Sequence, residues 1–175
     1  MEHHVLEQPP KKVTSNVTKG IIIALLLCVL SLISYFTKSQ QSNWAKWLPL
    51  LILAGGIIYS CISYANENDG LVTFGNTFAH GFKVTAVVTI LMILFNVLFI
   101  LVFPDVKTQA LEITRQEMEK QPNVTSEQID TGMRFMDKGF YLLMFAGILL
   151  GTLITGVIAS LIGAAVAKKN PTPFN

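Results

Sequence analysis

Four stretches of this chain contain no Asp, Glu, Lys or Arg: residues 20–37 (18 residues), 47–66 (20), 84–104 (21) and 139–167 (29). A bilayer core about 30 Å thick needs about 20 apolar residues of helix, so each stretch spans it or nearly does. Over 175 residues, 51% are hydrophobic and 14% charged; soluble domains carry about 25% charge. A soluble enzyme and a secreted disulfide scaffold are therefore excluded. A net charge of +2 also excludes a nucleic-acid-binding domain with a basic surface. The fold class expected is an all-α integral membrane protein, with spans over 20–37, 47–65, 82–103 and 139–167 and a charged helical loop over 105–138. Residues 1–19 form a mobile basic tail and 170–175 a C-terminal tail.

The polar lead of 19 residues is long for a signal peptide, and Ser34-Tyr35-Phe36-Thr37 offers no cleavage site, so the first helix stays in the mature protein. Cys28 and Cys61 both fall inside apolar windows, where a thiol packs as a small apolar residue. Trp44 and Trp47 bracket Lys46 and mark a membrane boundary. Pro49 is expected in the first turn of the second span, where its missing N–H costs little. Phe74, Phe78 and Phe82 recur every four residues, which predicts an early start to the third span.

Half of the charges, 12 of 24, lie in 105–138. Asp105 is placed to begin a helix through Glu119, and Pro122-Asn123 breaks it. Thr125 and Gln128 have capping-box spacing. Ile129, Met133, Met136 and Phe140 then make an apolar stripe. The fourth window would reach about 43 Å as helix, more than the bilayer core, so it tilts or projects.

Positions 147, 151, 155, 159, 163 and 167 read Gly, Gly, Thr, Ala, Gly, Ala. Helices in lipid lack a hydrophobic drive to associate, and small residues at this spacing let backbones approach closely. Gly147, Gly151, Thr155, Ala159 and Gly163 are therefore the candidate helix-packing interface, within the subunit or with a homo-oligomeric or membrane-protein partner. Thr152, Gly156, Ser160 and Ala164 form a second small ridge. If the helix continues back through Gly139 and Gly132, the Ile129 stripe joins the same face. Asn96 is the candidate buried polar residue, with Ser31, Ser34, Ser60 or Thr155 as partners across helices. His80 and Lys83 are candidate interfacial residues, expected to face solvent or headgroups near Glu67 and Asp69.

No catalytic, cofactor or metal site is expected. His3-His4 lies in the tail, and the chain has no His-Glu-x-x-His, Gly-x-Ser-x-Gly, phosphate loop or intramembrane acidic pair. Four spans place both termini on one side. Lys and Arg number 6 on that side and 7 on the other, and the proximity of Lys11, Lys12, Lys19, Lys168 and Lys169 to the spans favours cytoplasmic termini.

The order of features carries a resemblance. Phe74-Gly75, then Gly81-Phe82-Lys83, Phe103-Pro104-Asp105, Glu117-Met118-Glu119-Lys120-Gln121, Ser126-Glu127-Gln128-Ile129 and a Met-rich approach to a glycine-rich last span together resemble the bacterial domain-of-unknown-function family 4199. The resemblance covers nearly the whole chain after the first 15 or so residues; His80 and the basic tail are not part of the pattern. It implies a small multi-pass protein of the bacterial inner membrane and gives no residue a catalytic role. The function expected is that of a non-enzymatic structural or regulatory interaction protein whose partners are the bilayer and a second membrane chain, with no nucleic acid and no cofactor. The alternative is a small transporter or channel subunit in which Asn96 and His80 line a hydrated path.

Overall fold

The computed structural model describes residues 14–39 and 42–167. His3, His4, Lys11, Lys12, Lys168, Lys169 and the C-terminal tail lie outside the described residues. Five helices follow in order: α1 (Asn16–Phe36), α2 (Asn43–Glu67), α3 (Phe74–Val102), α4 (Val106–Glu119) and α5 (Ser126–Val166). Among the described residues there is no strand. The protein is all-α, and α1, α2, α3 and α5 are each long and apolar enough to cross a membrane.

Local chemistry explains the boundaries. Thr73 caps α3 by accepting from the Asn76 amide at 3.2 Å, so the helix starts at Phe74, eight residues before the span expected over 82–103 and in the direction of the early start favoured from the phenylalanine spacing. Asp69 and Gly70 take positive φ in the turn before it, and the Gly70 amide closes on the Ala65 carbonyl at 2.8 Å. The predicted capping box is present: Thr125 accepts from the Gln128 amide while the Gln128 side chain accepts from the Thr125 amide. Gly132 and Gly139 do not interrupt α5, whose 41 residues reach about 62 Å. Pro49 differs from expectation. Because α2 begins at Asn43, Pro49 lies in the helix interior and leaves the Ala45 carbonyl without its usual intrahelical donor.

The four long helices alternate in direction from α1 to α3, and α5 runs parallel to α2. One end of the bundle therefore gathers the start of α1, the end of α2, the start of α3 and the end of α5. The other end lies under α4. The buried core is concentrated toward the first end: Ile23, Ala24 and Leu27 of α1, Leu53, Ile57 and Cys61 of α2, Val84 and Val88 of α3, and Ala159 and Ala164 of α5.

Two glycines show why that end is tight. A Cβ on Gly156 would sit 2.1 Å from Cγ2 of Thr85, and one on Gly163 would sit 2.7 Å from Cβ of Cys61. At both positions α5 touches a neighbouring helix through bare backbone, the contact that small-residue faces permit in lipid. At Gly147 and Gly151 an added Cβ would meet nothing within 4 Å. The small-residue ridge is thus divided: Ala159 and Gly163 pack inside the chain, while Gly147, Gly151 and Thr155 line open space. α2 and α5 meet at Cys61–Gly163 and diverge toward α4.

Candidate functional site

The tight end holds a polar cluster drawn from all four long helices. Lys19 of α1 is 9% exposed and forms an ion pair with Glu67 of α2 at 2.9 Å. Glu67 also accepts from the Ser63 hydroxyl at 2.6 Å and the Thr14 amide at 2.9 Å. One carboxylate therefore fastens the entry of α1 to the last turn of α2. Neither charge stands inside a span in sequence, since each is the first ionised residue beyond an apolar window at the same membrane boundary.

Beneath this latch lies His80. Its Nε2 is 3.0 Å from the Ser60 hydroxyl, and its ring stacks on Tyr64 at 4.3 Å between centroids. His80 is 8% exposed, which corrects the expectation that it faces solvent or headgroups. With α3 starting at Phe74, position 80 is nearly two turns inside, on the face shared by Thr77 and Val84. Lys83, one position off that face, is exposed.

A serine hydroxyl beside a histidine nitrogen is the first half of a nucleophile–base pair, whose second half is a group orienting the base. Here Ser60 is 1% exposed, and among the described residues no carboxylate is hydrogen-bonded to His80. The arrangement ties α2 to α3. Close by, the Cys61 thiol donates to the Thr77 carbonyl, and a Cβ on Gly81 would crowd both the Cys61 thiol and the Ser160 hydroxyl. The Ser160 hydroxyl is buried without a hydrogen-bond partner.

From this cluster a line of hydroxyls follows α3 through the core. Thr85 donates to the Gly81 carbonyl at 3.0 Å, and Thr89 lies 2.9 Å from the Thr85 carbonyl and 2.9 Å from the Thr152 hydroxyl of α5. The Asn96 amide donates to the Met92 carbonyl at 2.8 Å. Its hydrogen bond stays in its own helix, and the proposed partners Ser31, Ser34, Ser60 and Thr155 do not engage it. Intrahelical bonding is the economical answer for a short polar side chain in hydrocarbon, because the i−4 carbonyl is always within reach.

The α4 end is built differently. A groove of about 300 Å³ enters the bundle between α2 and α5, with Pro49 and Leu50 on one wall and Gly147, Gly151 and Thr155 on the other. Leu27 of α1, Leu53 of α2 and Met92 of α3 form its floor, and Lys46 stands at its upper end. A second cavity of about 380 Å³ separates Ser31, Tyr35 and Phe99 from Gln109, Ile113 and Thr114 of α4.

α4 is held over this end by exposed polar straps. Lys46 pairs with Glu117 at 2.5 Å, Lys107 with Asp137 at 2.8 Å, and Arg115 with Asp130 at 3.3 Å. The Tyr35 hydroxyl donates to the Asp105 carboxylate at 3.0 Å. The hydrogen bond from Lys46 holds the Glu117 carboxyl below the ordinary glutamate range. The hydrogen bond to Asp137 likewise raises the Lys107 ammonium.

Sequence reasoning marked Asn96, His80, Lys83 and the glycine ridge. It passed over the Lys19–Glu67 latch, the Ser60 and Tyr64 partners of His80, and the Thr89–Thr152 bond between α3 and α5. Among the described residues no group of three or more His, Cys, Asp or Glu side chains is placed to hold a metal ion.

Among comparisons with known proteins, no curated protein and no solved structure matches the chain. A family model described as a protein of unknown function, DUF4199, matches residues 18–169, from the start of the first span to just past the last. That interval holds the latch, the hydroxyl line, the groove and the straps, and over it the chain belongs to the DUF4199 family.

Proposed function

We propose that this is a non-enzymatic interaction protein of the bacterial inner membrane, structural or regulatory in role, with both termini in the cytoplasm and α5 as the element that meets its partner. The observation that carries this reading is the exposure of α5. In its most apolar window 11% of residues are buried, against 22–28% in the other three spans. The helix also runs unbroken from the charged segment into the membrane, carrying exposed Phe135, Leu142 and Ile154 along the way. The polar groups of the core support the same reading. His80, Thr85, Thr89 and Asn96 are engaged with Ser60, Thr152 and backbone carbonyls, which stiffens a packed scaffold.

The test is disulfide and bifunctional cross-linking of single cysteines in membrane vesicles, with Cys28 replaced by serine and Cys61 by alanine. Cysteines at Phe135, Leu142 and Ile154 are expected to give a chain-to-chain product, and a cysteine at Ile90, an equally exposed position on α3, is expected to give none. Silence along α5, or equal yield at Ile90, contradicts the proposal.

A further inference from the structure

We infer that the groove between α2 and α5 is a phospholipid site, taking one acyl chain of a bilayer lipid between Gly147–Thr155 and Pro49–Leu53 with the headgroup phosphate at Lys46. This goes beyond the partner-docking reading and does not depend on it.

The first argument is size. The groove follows α5 from Gly147 to Thr155, about 12 Å at 1.5 Å per residue. Its volume of about 300 Å³ then corresponds to a cross-section of about 25 Å², against roughly 100 Å² for a helix 10–12 Å across with its side chains. A single extended hydrocarbon chain fits that width.

The second argument is lining. Leu27 and Leu53 on the floor are core residues, 4% and 5% exposed, and the absent side chains of Gly147 and Gly151 make the width. Left empty, such a space forfeits the dispersion contacts of every atom facing it. In a bilayer the species that can restore them is the lipid chain alongside.

The third argument is charge at the right depth. Lys46 lines the upper end of the groove between Trp44 and Trp47, both exposed, and exposed indole rings mark the headgroup level. Lys46 gives one contact to Glu117, while an ammonium has three donors. The Lys46 side chain is 49% exposed, which leaves that remaining capacity open to a headgroup phosphate. An ammonium at the mouth of a cleft between spans attracts the phosphate of an anionic headgroup on either face of the bilayer.

The core floor makes the test specific. The full chain is reconstituted in phosphatidylethanolamine vesicles containing phosphatidylglycerol with a photoreactive group on one acyl chain, irradiated, and mapped by peptide mass. Adducts are expected on Leu27 or Leu53, core residues 4% and 5% exposed that line the groove, as well as on exposed Ile90 and Leu101. Gly151→Leu and Gly147→Leu, each placed in open space, are expected to reduce the floor adducts about tenfold, the loss of roughly two methylene contacts, and to leave Ile90 and Leu101 labelled as before. Gly55→Leu, also in open space but off the groove, is expected to change nothing.

For the headgroup, Lys46→Met is expected to lower floor labelling by phosphatidylglycerol. Glu117→Gln, which breaks the same ion pair but keeps the ammonium, is not. A floor that stays unlabelled, floor labelling indifferent to both glycine substitutions, or chain-to-chain cross-links across Gly151 in its place overturns the inference. Equal loss in Lys46→Met and Glu117→Gln overturns the assignment of the phosphate to Lys46.

Discussion

Gly156→Leu is expected to destabilise the bundle by about 3 kcal/mol or more, whereas Gly151→Leu, five residues earlier on the same helix, is expected to cost less than about 1 kcal/mol. The difference comes from what each new side chain meets. At Gly156 even the first added carbon lands 2.1 Å from the Thr85 methyl, and Thr85 is itself fixed by its bond to the Gly81 carbonyl. A methyl group on a rigid β-branched residue has nowhere to go, so α3 and α5 must separate and give up the Thr89–Thr152 bond below. At Gly151 the leucine enters open space. Unfolding in mixed micelles of increasing denaturing detergent reads both values on one scale. Equal costs at the two positions would contradict the close contact of α5 with α3 at Gly156 and the open space at Gly151.

The second large effect concerns the latch. Lys19→Met removes the cation from a pair whose side chains are 9% and 19% exposed and leaves the Glu67 carboxylate facing the start of α1 with only Ser63 and the Thr14 amide as donors. Breaking a buried pair by removing one partner costs about 3–5 kcal/mol. The partial exposure of Glu67 at the membrane boundary places the expected loss near the lower end. Lys19→Met combined with Glu67→Leu is expected to recover most of it, because no unpaired charge is left behind. A thermodynamic cycle over the two single variants and the double variant gives the coupling. A loss below about 1 kcal/mol in Lys19→Met would show that water or headgroups solvate Glu67 freely and that the latch does not hold α1.

The sequence made some of this legible and hid the rest for identifiable reasons. Windows free of charge located the spans because hydrocarbon excludes ionised groups whatever the packing. Thr125 and Gln128 located the start of α5 because a capping box is local chemistry, complete within four residues. The phenylalanine repeat points to an early start of the third helix, yet the span expected from the sequence begins only at 82; with the start at Phe74, position 80 falls on the same helical face as Thr77 and Val84, which a solvated histidine would not. Which helix covers which face was not legible. In a water-soluble helix the polar side announces solvent, but spans in lipid are apolar all round, so nothing distinguishes the half of the 147–163 ridge that meets Cys61 from the half that faces the groove. The pairing of Lys19 with Glu67 was closer to hand. Both are the first charges beyond their windows at the same boundary, and the inference needed only that α1 and α2 be neighbours.

The central claim is that α5 is clasped by its own chain at the end that gathers the start of α1 and the end of α2, and stands away from α2 at the end beneath α4. Oxidative trapping within one chain tests it directly, with Cys28 replaced by serine and a lipid-soluble copper oxidant acting on reconstituted vesicles. One variant carries native Cys61 with Gly163→Cys, and the other carries Leu50→Cys with Gly151→Cys on opposite walls of the groove, with Cys61 replaced by alanine. A disulfide requires Cβ atoms about 3.5–4.5 Å apart, and the Gly163 position lies within that reach of Cys61 after a small outward shift, since a Cβ there starts 2.7 Å away. The account predicts rapid intrachain closure of the 61/163 pair and none of the 50/151 pair. Closure of both pairs at similar rates, or of 50/151 alone, would contradict it.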